Sequence, residues 1–158
     1  MVSIKWCVKQ NAGIQMIQPN VNVSRSYLKM AEESITVLAD VGRSKIWTAT
    51  TAYYVFYYSL YSLMLLMGVK CEIHSCSLEF MKRFLKDFYN DKDMGMIEKA
   101  FKARIDLQYY ADRAVDDVII DDIKKYCKDF YIKTKHILSR ITESQINMVR
   151  KHLEGGIY

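Results

Sequence analysis

Proline and glycine, the residues that break helices, are scarce in this chain of 158 residues, which has one proline and six glycines. Hydrophobic residues make up 51% of the chain and charged residues 26%. A chain of this length can bury a sizeable core as one domain. Because so few helix breakers interrupt it, its composition favours helices. The sequence therefore predicts a single all-α domain.

The sequence motifs of familiar enzyme classes are also absent. There is no glycine-rich phosphate loop, no nucleophile elbow and no helix with paired metal-binding histidines. The three histidines, His74, His136 and His152, are not clustered in the sequence. Cys71 and Cys76 flank His74, but this spacing matches no common zinc pattern. We therefore predict neither a metal site nor a cofactor.

The four cysteines, Cys7, Cys71, Cys76 and Cys127, include no C-x-x-C pair. The chain begins without the pattern of a secretory signal peptide. Reduced thiols in a cytoplasmic protein are the simplest interpretation of these two observations. The net charge of +5 permits a nucleic-acid or acidic partner without requiring one.

No charged residue occurs between Lys45 and Lys70, in the stretch IWTATTAYYVFYYSLYSLMLLMGV. Apolar residues repeat here with the spacing of a helix face, and the opposite side is also mostly apolar. About twenty such residues are long enough to cross a bilayer. However, its tyrosines lie in the middle of the stretch, where lipid would leave their hydroxyls without hydrogen-bond partners. We therefore predict a buried central helix and no membrane span.

A helix that is apolar on all sides is difficult to cover in so small a domain. We therefore expect the central helix to bury part of its surface against a second copy of the chain.

Amphipathic patterns predict further helices before and after the central one. Ser24, Ser44 and Asp93 are the predicted N-caps of the first, second and fourth helices. Gly68 is expected to help end the second. The predicted helices cover about 24–42, 44–68, 78–88 and 93–110, and a fifth begins between about 112 and 121 and ends at 141.

The two ends of the chain have different patterns. Residues 1–23 show no sustained period and are predicted to form an irregular arm, although the alternation of Ile4, Trp6 and Val8 weakly favours a short extended piece. Residues 142–158 are predicted to form a C-terminal helical extension. It begins with a capping box, T-x-x-Q, and stops at a pair of glycines, Gly155 and Gly156.

The middle of the chain, residues 24–141, is predicted to form an antiparallel up-and-down bundle. Short loops join its helices, and no alternating strand pattern occurs between them. The bundle should have four main helices plus a short extra helix.

Polar and aromatic residues cluster at Arg104, Asp106, Tyr109 and Tyr110. Arginine presents a planar fork suited to phosphate or carboxylate, and tyrosine rings stack on bases. The alternative is an internal Arg and Asp salt link that fixes the turn between the fourth and fifth helices, which the residues alone favour. For His74, a role in helix capping or loop packing is likewise favoured over catalysis.

Several short motifs together resemble those of the HEPN domains, whose name abbreviates higher eukaryote and prokaryote nucleotide-binding. The similarity runs from about residue 24 to residue 138, and it is closest to the small stand-alone prokaryotic branch. The motifs are A-Y-Y-V-F-Y-Y at 52–58, L-L-M-G-V at 65–69, H-S at 74–75 before a helix with Phe80, and Arg104 followed by Y-Y-A-D at 109–112.

This resemblance implies an up-and-down bundle of four main helices with a short extra one, commonly a homodimer. Many members act with a minimal nucleotidyltransferase as a toxin and antitoxin pair. In some relatives that partner adenylylates a tyrosine near the motif, here Tyr109 or Tyr110. A nucleotide, RNA or the protein partner would bind at a site for which we predict Arg104, Asp106, Tyr109, Tyr110, His74 and Tyr54.

The nuclease members carry an arginine followed about four to six residues later by a histidine, which acts in a metal-independent ribonuclease site. This chain has Tyr109, Tyr110 and Ala111 in that window after Arg104. Tyrosine, with an ordinary pKa near 10, is a poor base at neutral pH. The sequence therefore predicts a binding module that is not catalytic. The alternative is a metal-independent ribonuclease in which Arg104 works with a non-standard partner such as His74 or a tyrosine.

Overall fold

The computed structural model describes residues 2–157, and its central element is one long helix, as the sequence predicts. In chain order, the elements are α1 (Ile4–Lys9), β1 (Gln15–Met16), α2 (Val21–Asp40), α3 (Lys45–Leu66), β2 (Val69–Lys70), α4 (His74–Phe84), α5 (Asp91–Tyr109), α6 (Asp117–Arg140) and α7 (Glu143–Ile157).

The four longest helices, α2, α3, α5 and α6, form a bundle in which the other three pack on α3. The predicted all-α fold is therefore confirmed. The shorter helices α1, α4 and α7 contact one another beside the C-terminal end of α3. Within residues 24–141 the expectation of four main helices plus a short extra helix is confirmed, with α4 as the short one. Helix α1 had not been predicted, and α7, the predicted C-terminal extension, packs on α1 and α4.

The central helix α3 is covered almost completely by the rest of the same chain. Several of its hydroxyls find partners inside the protein: Ser59 donates to the Val55 carbonyl at 2.7 Å, and the Tyr57 hydroxyl donates to the Cys71 carbonyl at 3.4 Å. Among the helices of residues 2–157, none combines the length and the apolar character that crossing a membrane requires.

The predicted ends of α3 are confirmed. The side chain of Ser44 accepts a hydrogen bond from the backbone N–H of Trp47 at 3.3 Å. Gly68 follows the helix with a φ of 73°, a left-handed conformation that favours glycine.

Two other predicted caps are wrong. Helix α2 begins earlier, with Asn20 as its N-cap. Ser24 instead lies inside the bundle and donates a hydrogen bond to the carbonyl of Ser62 at 2.7 Å. Helix α5 is capped by Asn90, which forms a capping box with Asp93. Asparagine, serine and aspartate all cap helices well, so the N-cap of each helix depends on which side chain the packing leaves available.

The other helix limits also shift. Helix α4 begins at His74 and ends at Phe84, so Phe88 lies beyond its C-terminal end, and α5 begins at Asp91 and ends at Tyr109. The predicted capping box of α7 is present, with the N–H of Gln145 bound to the Thr142 hydroxyl at 3.2 Å. The predicted stop at the glycine pair is wrong, because α7 continues to Ile157. Glycine weakens a helix without forbidding it.

The N-terminal arm is ordered rather than irregular. Ile4 and Cys7, three residues apart, are both buried on one face of α1, which explains why the alternation at Ile4 and Trp6 did not produce a strand. Strand β1 then pairs with β2 in antiparallel register, with Gln15 opposite Lys70. Helix α1 packs against α4 and α7.

The expectation that all cysteines are reduced is wrong for one pair. Cys7 and Cys76 form a disulfide across a sequence separation of 69 residues, while Cys71 and Cys127 are free and buried. The pairing depends on the approach of α1 to α4, which no local pattern reveals.

A buried carboxylate joins the start of α5 to α6. Asp93 is fully buried, and one of its oxygens accepts a hydrogen bond from the Tyr126 hydroxyl at 2.8 Å. The other oxygen accepts from Lys133 Nζ at 2.6 Å and from the backbone N–H of Asn90 at 2.8 Å. This network sets the register between the two helices.

We expect Asp93→Ala to lower the free energy of unfolding by about 2–3 kcal/mol, because it removes several hydrogen bonds to a charged group together with half of a capping box. Urea unfolding followed by circular dichroism measures this change. Asp91→Ala, in the exposed first turn of the same helix, is the control. Equal losses in the two variants would show that the buried network does not stabilise the fold.

Candidate functional site

The structure brings four of the six predicted site residues to one junction, where the start of α4 and the C-terminal half of α5 meet α3. These residues are His74, Tyr54, Arg104 and Tyr109. The other two, Asp106 and Tyr110, interact with Arg113 in a second cluster, described below.

His74, the first residue of α4, is held by the tyrosines of α3. The Tyr53 hydroxyl lies 2.7 Å from His74 Nδ1. The Tyr57 ring stacks on the imidazole with 4.0 Å between centroids and an interplanar angle of 8°. Tyr54 approaches the imidazole edge-on, with centroids 6.3 Å apart. The imidazole is therefore oriented by aromatic contacts, and among residues 2–157 no carboxylate forms an ion pair with it.

Burial, and secondarily the positive charge of Arg104, lowers the pKa of His74 to about 4. The imidazole is consequently neutral at pH 7. Burial also raises the pKa of Tyr53, so its hydroxyl stays protonated. That hydroxyl has no other hydrogen-bond partner in the part of the chain that is described. We therefore assign it as the donor to Nδ1, which leaves the imidazole proton on Nε2.

Arg104 lies among aromatic rings rather than acids. Its Cζ is 5.3 Å from the ring centre of Tyr53, 5.2 Å from that of Tyr54 and 6.0 Å from that of Tyr109, which are cation–π distances. Within residues 2–157, no carboxylate forms an ion pair with it. Its Nε is buried without a hydrogen-bond partner. The guanidinium thus has both charge and donor capacity left over.

A second unpaired polar atom belongs to the same side of α3. Thr50 lies one turn before Tyr54, and its Oγ1 is buried without a partner. Buried polar groups in folded proteins are nearly always hydrogen-bonded. Three side-chain atoms of the described residues are exceptions, on Thr50, Ser77 and Arg104, and the one on Arg104 favours a polar ligand at this junction.

The second cluster is the salt link that the sequence offered as an alternative, with a different arginine. Arg113 Nη1 donates to Asp106 Oδ1 at 2.6 Å, and Lys102 Nζ donates to Asp106 Oδ2 at 2.9 Å. The hydrogen bond from Arg113, followed by that from Lys102, lowers the pKa of Asp106. The Arg113 guanidinium also lies 3.6 Å from the ring centre of Tyr110. Asp106 and Tyr110 therefore fix the turn between α5 and α6.

Sequence reasoning missed the residues that hold the imidazole. Tyr53 and Tyr57 are one helical turn apart, so they share a face of α3, and this spacing was visible in the sequence. The spacing does not say which of the tyrosines faces α4, because that depends on how α4 packs.

Comparisons of the chain with protein families, curated proteins and solved structures gave no match. Membership of the HEPN family therefore stays a prediction that rests on the motifs. The arrangement of Arg104 and His74 has to be interpreted from its own chemistry.

That chemistry suits the binding of an anion with an attached ring system. Arg104 supplies a positive charge, His74 Nε2 supplies a neutral donor, and Tyr109, with 66% of its surface exposed, offers a ring for stacking. An imidazole with a pKa of about 4 is a weak base. Among the described residues, no three His, Cys, Asp or Glu side chains are grouped as a metal site would need.

The low pKa of His74 makes a prediction about stability. The unfolded chain, with an ordinary histidine pKa near 6.5, binds a proton that the folded state resists until about pH 4. The free energy of unfolding that depends on neutral His74 is therefore fully present above about pH 6.5, and it is lost as the pH falls from there toward about 4. Urea unfolding at pH 7, 6 and 5 should show a steeper loss for the wild type than for His74→Gln. Parallel losses would contradict the assigned environment of His74.

Proposed function

We propose that this protein is a HEPN-like helical module that binds a nucleotide, or the nucleotides of an RNA, at the junction of Arg104, His74, Tyr54 and Tyr109, and that it is not catalytic. The single observation that carries the proposal is the position of Arg104. Its guanidinium has no acidic partner in the described chain and lies within about 6 Å of three tyrosine rings.

A phosphate group would pair with the guanidinium of Arg104, which has no acidic partner in the described chain. A guanidinium donates to phosphate through a planar fork, and the neutral Nε2–H of His74 adds a donor beside it. Tyr109 is the most exposed of the rings around Arg104 and is suited to stack on a base. Charge and aromatic surface thus favour a nucleotide over a simple anion.

The protein partner follows from the family resemblance. We propose a minimal nucleotidyltransferase, with this chain as the other half of a toxin and antitoxin pair. Tyr109 and Tyr110 are 66% and 42% exposed, so both are accessible to a partner enzyme.

A homodimer remains part of the proposal, for a narrower reason than the sequence suggested. Helix α3 is covered within one chain except in its first turn and along a strip formed by Trp47, Tyr54 and Tyr58, which share a helix face. Trp47 is 57% exposed. We expect a second copy to cover this strip, and Trp47→Ser should then increase the monomer fraction in light scattering. A wild-type protein that is monomeric at micromolar concentration would exclude the dimer.

The cytoplasmic location predicted from the sequence also stays a prediction. The Cys7–Cys76 disulfide argues against a permanently reducing compartment, because cytoplasmic thiols are usually kept reduced.

Ligand binding to the folded state must raise the melting temperature. A nucleotide at about one hundred times its dissociation constant would raise the melting temperature by roughly 5–10 °C in a protein of this size. We expect such a shift with AMP, ATP or a short single-stranded RNA. The shift should be lost in Arg104→Ala, because the mutation removes the unpaired guanidinium.

Arg113→Ala is the matched control, since it removes an arginine from the neighbouring cluster that already has its acidic partner. It should lower the melting temperature and leave the ligand-induced shift intact. An equal loss of the shift in both variants would argue against a site at Arg104. The absence of any shift in the wild type would argue for a purely protein-binding bundle.

The ribonuclease alternative is favoured by one observation, the proximity of His74 and Arg104. Tyr53 and Tyr54 each contact both residues. The same RNA, incubated with the protein in the presence of a metal chelator, distinguishes the two functions. Cleavage that requires both His74 and Arg104 would replace the binding proposal, whereas intact RNA supports it.

A further inference from the structure

The segment that carries His74 is attached to the N-terminal arm at positions on both sides of the histidine. Before it, the N–H of Glu72 donates to the carbonyl of Ala12 at 2.8 Å. After it, Cys76 is joined to Cys7 of α1. The arm therefore forms the outer support of the short segment in which the imidazole lies.

Helix α4 needs this support because no capping side chain stabilises its first turn. Its N-cap residue is Ile73, which has no side chain able to accept a hydrogen bond from the first turn. Cys76 lies in that uncapped first turn, two residues after His74. A covalent bond at Cys76 restrains the turn in place of a cap.

The arm and α3 hold opposite sides of this segment. From the core, the Tyr57 and Tyr61 hydroxyls contact the backbone of Cys71 at 3.4 Å each, and Tyr53 contacts His74. From outside, Cys7 and Ala12 hold its two ends, as described above. Loss of the outer contacts leaves the imidazole held by the aromatic rings of α3 and Phe101 and by the packing of α4 on α5 and α7.

The rest of the arm has separate attachments that do not involve the disulfide. The N–H of Ile17 donates to the carbonyl of Gly68 at 2.8 Å, and Arg150 Nη1 donates to the carbonyls of Ile17 and Met67 at 3.0 and 2.8 Å. These contacts hold β1 against the bundle whether or not the disulfide is closed, whereas α1 and the first turn of α4 lose their covalent link when it opens.

We propose that the Cys7–Cys76 disulfide controls the binding site by holding His74 in place, so that the closed form binds ligand and the reduced form binds it weakly. This proposal rests on the proposed function only in taking His74 and Arg104 as the ligand site. The regulating partner is a dithiol reductant. The disulfide gains two electrons and two protons to become two thiols, and the dithiol loses the same to become a disulfide.

Both sulfur atoms are buried, so a reductant can reach the disulfide only after part of the structure opens. Cys7 and Cys76 are 0% exposed, so α1 must lift from α4 and α7 before a reductant reaches the bond. Because α1 has only six residues, this opening is local. The site is then switched by movement of the arm rather than by unfolding of the bundle.

The experiment compares oxidised protein, protein reduced with dithiothreitol, and Cys7→Ser, by NMR of the histidine side chains together with AMP titration. The stacked Tyr57 ring shifts the His74 signals by its ring current, so these signals report the position of the imidazole directly. We expect them to move on reduction and in Cys7→Ser, while those of the exposed His136 stay unchanged. The affinity for AMP should fall about tenfold, in proportion to the loss of the binding-competent conformation.

Cys127→Ser, which removes a buried thiol outside the disulfide, is the control and should respond to reduction as the wild type does. His74 signals that stay in place after free-thiol titration confirms reduction would overturn the proposal. It would also be overturned by loss of the helical circular dichroism or by movement of the His136 signals, since the disulfide would then maintain the whole fold. If His74 moves but the oxidised protein binds neither AMP nor RNA, the disulfide's control of His74 is supported and the proposed ligand is wrong.

Discussion

The structure depends on the burial of α3, an uncharged helix whose tyrosine hydroxyls must then find hydrogen-bond partners inside the protein. Helices α2, α5 and α6 cover its apolar sides. On the remaining side, hydroxyls meet polar atoms of the segment after α3, where Tyr61 and Tyr57 contact the Cys71 backbone and Tyr53 contacts His74. The hydrogen bonding that the buried tyrosine hydroxyls of α3 require therefore also positions the imidazole. The candidate site is a consequence of how a tyrosine-rich helix is accommodated.

Two arginines near the end of α5 show how the electrostatics of the site arise. Arg113 is matched by Asp106, and together they close the turn into α6. Arg104 lies against three tyrosine rings and has no acidic partner among the described residues, so its charge is available to a ligand. The same charge, added to burial, keeps His74 neutral. A site with one unpaired cation, a neutral imidazole and no adjacent acid is suited to holding an anion and poorly suited to moving protons.

The N-terminal arm also restrains the segment that carries His74. Helical bundles commonly cap each helix locally, but α4 begins at an isoleucine that has no capping oxygen. A disulfide and a two-stranded pairing from the other end of the chain restrain this region instead. The part of the molecule that orients His74 is thus held partly by a bond whose state depends on redox conditions rather than on packing.

The amino-acid sequence by itself determined the four long helices, the burial of α3 and the ends of that helix at Ser44 and Gly68. These features depend on periodicity and capping, which act over about one helical turn and can be recognised in the sequence. Only the tertiary structure decided that Arg113 rather than Arg104 pairs with Asp106, that His74 is neutral, and that the N-terminal arm is joined to α4. Each of these depends on which helix faces meet, and on the burial that results, so residues distant in sequence decide them.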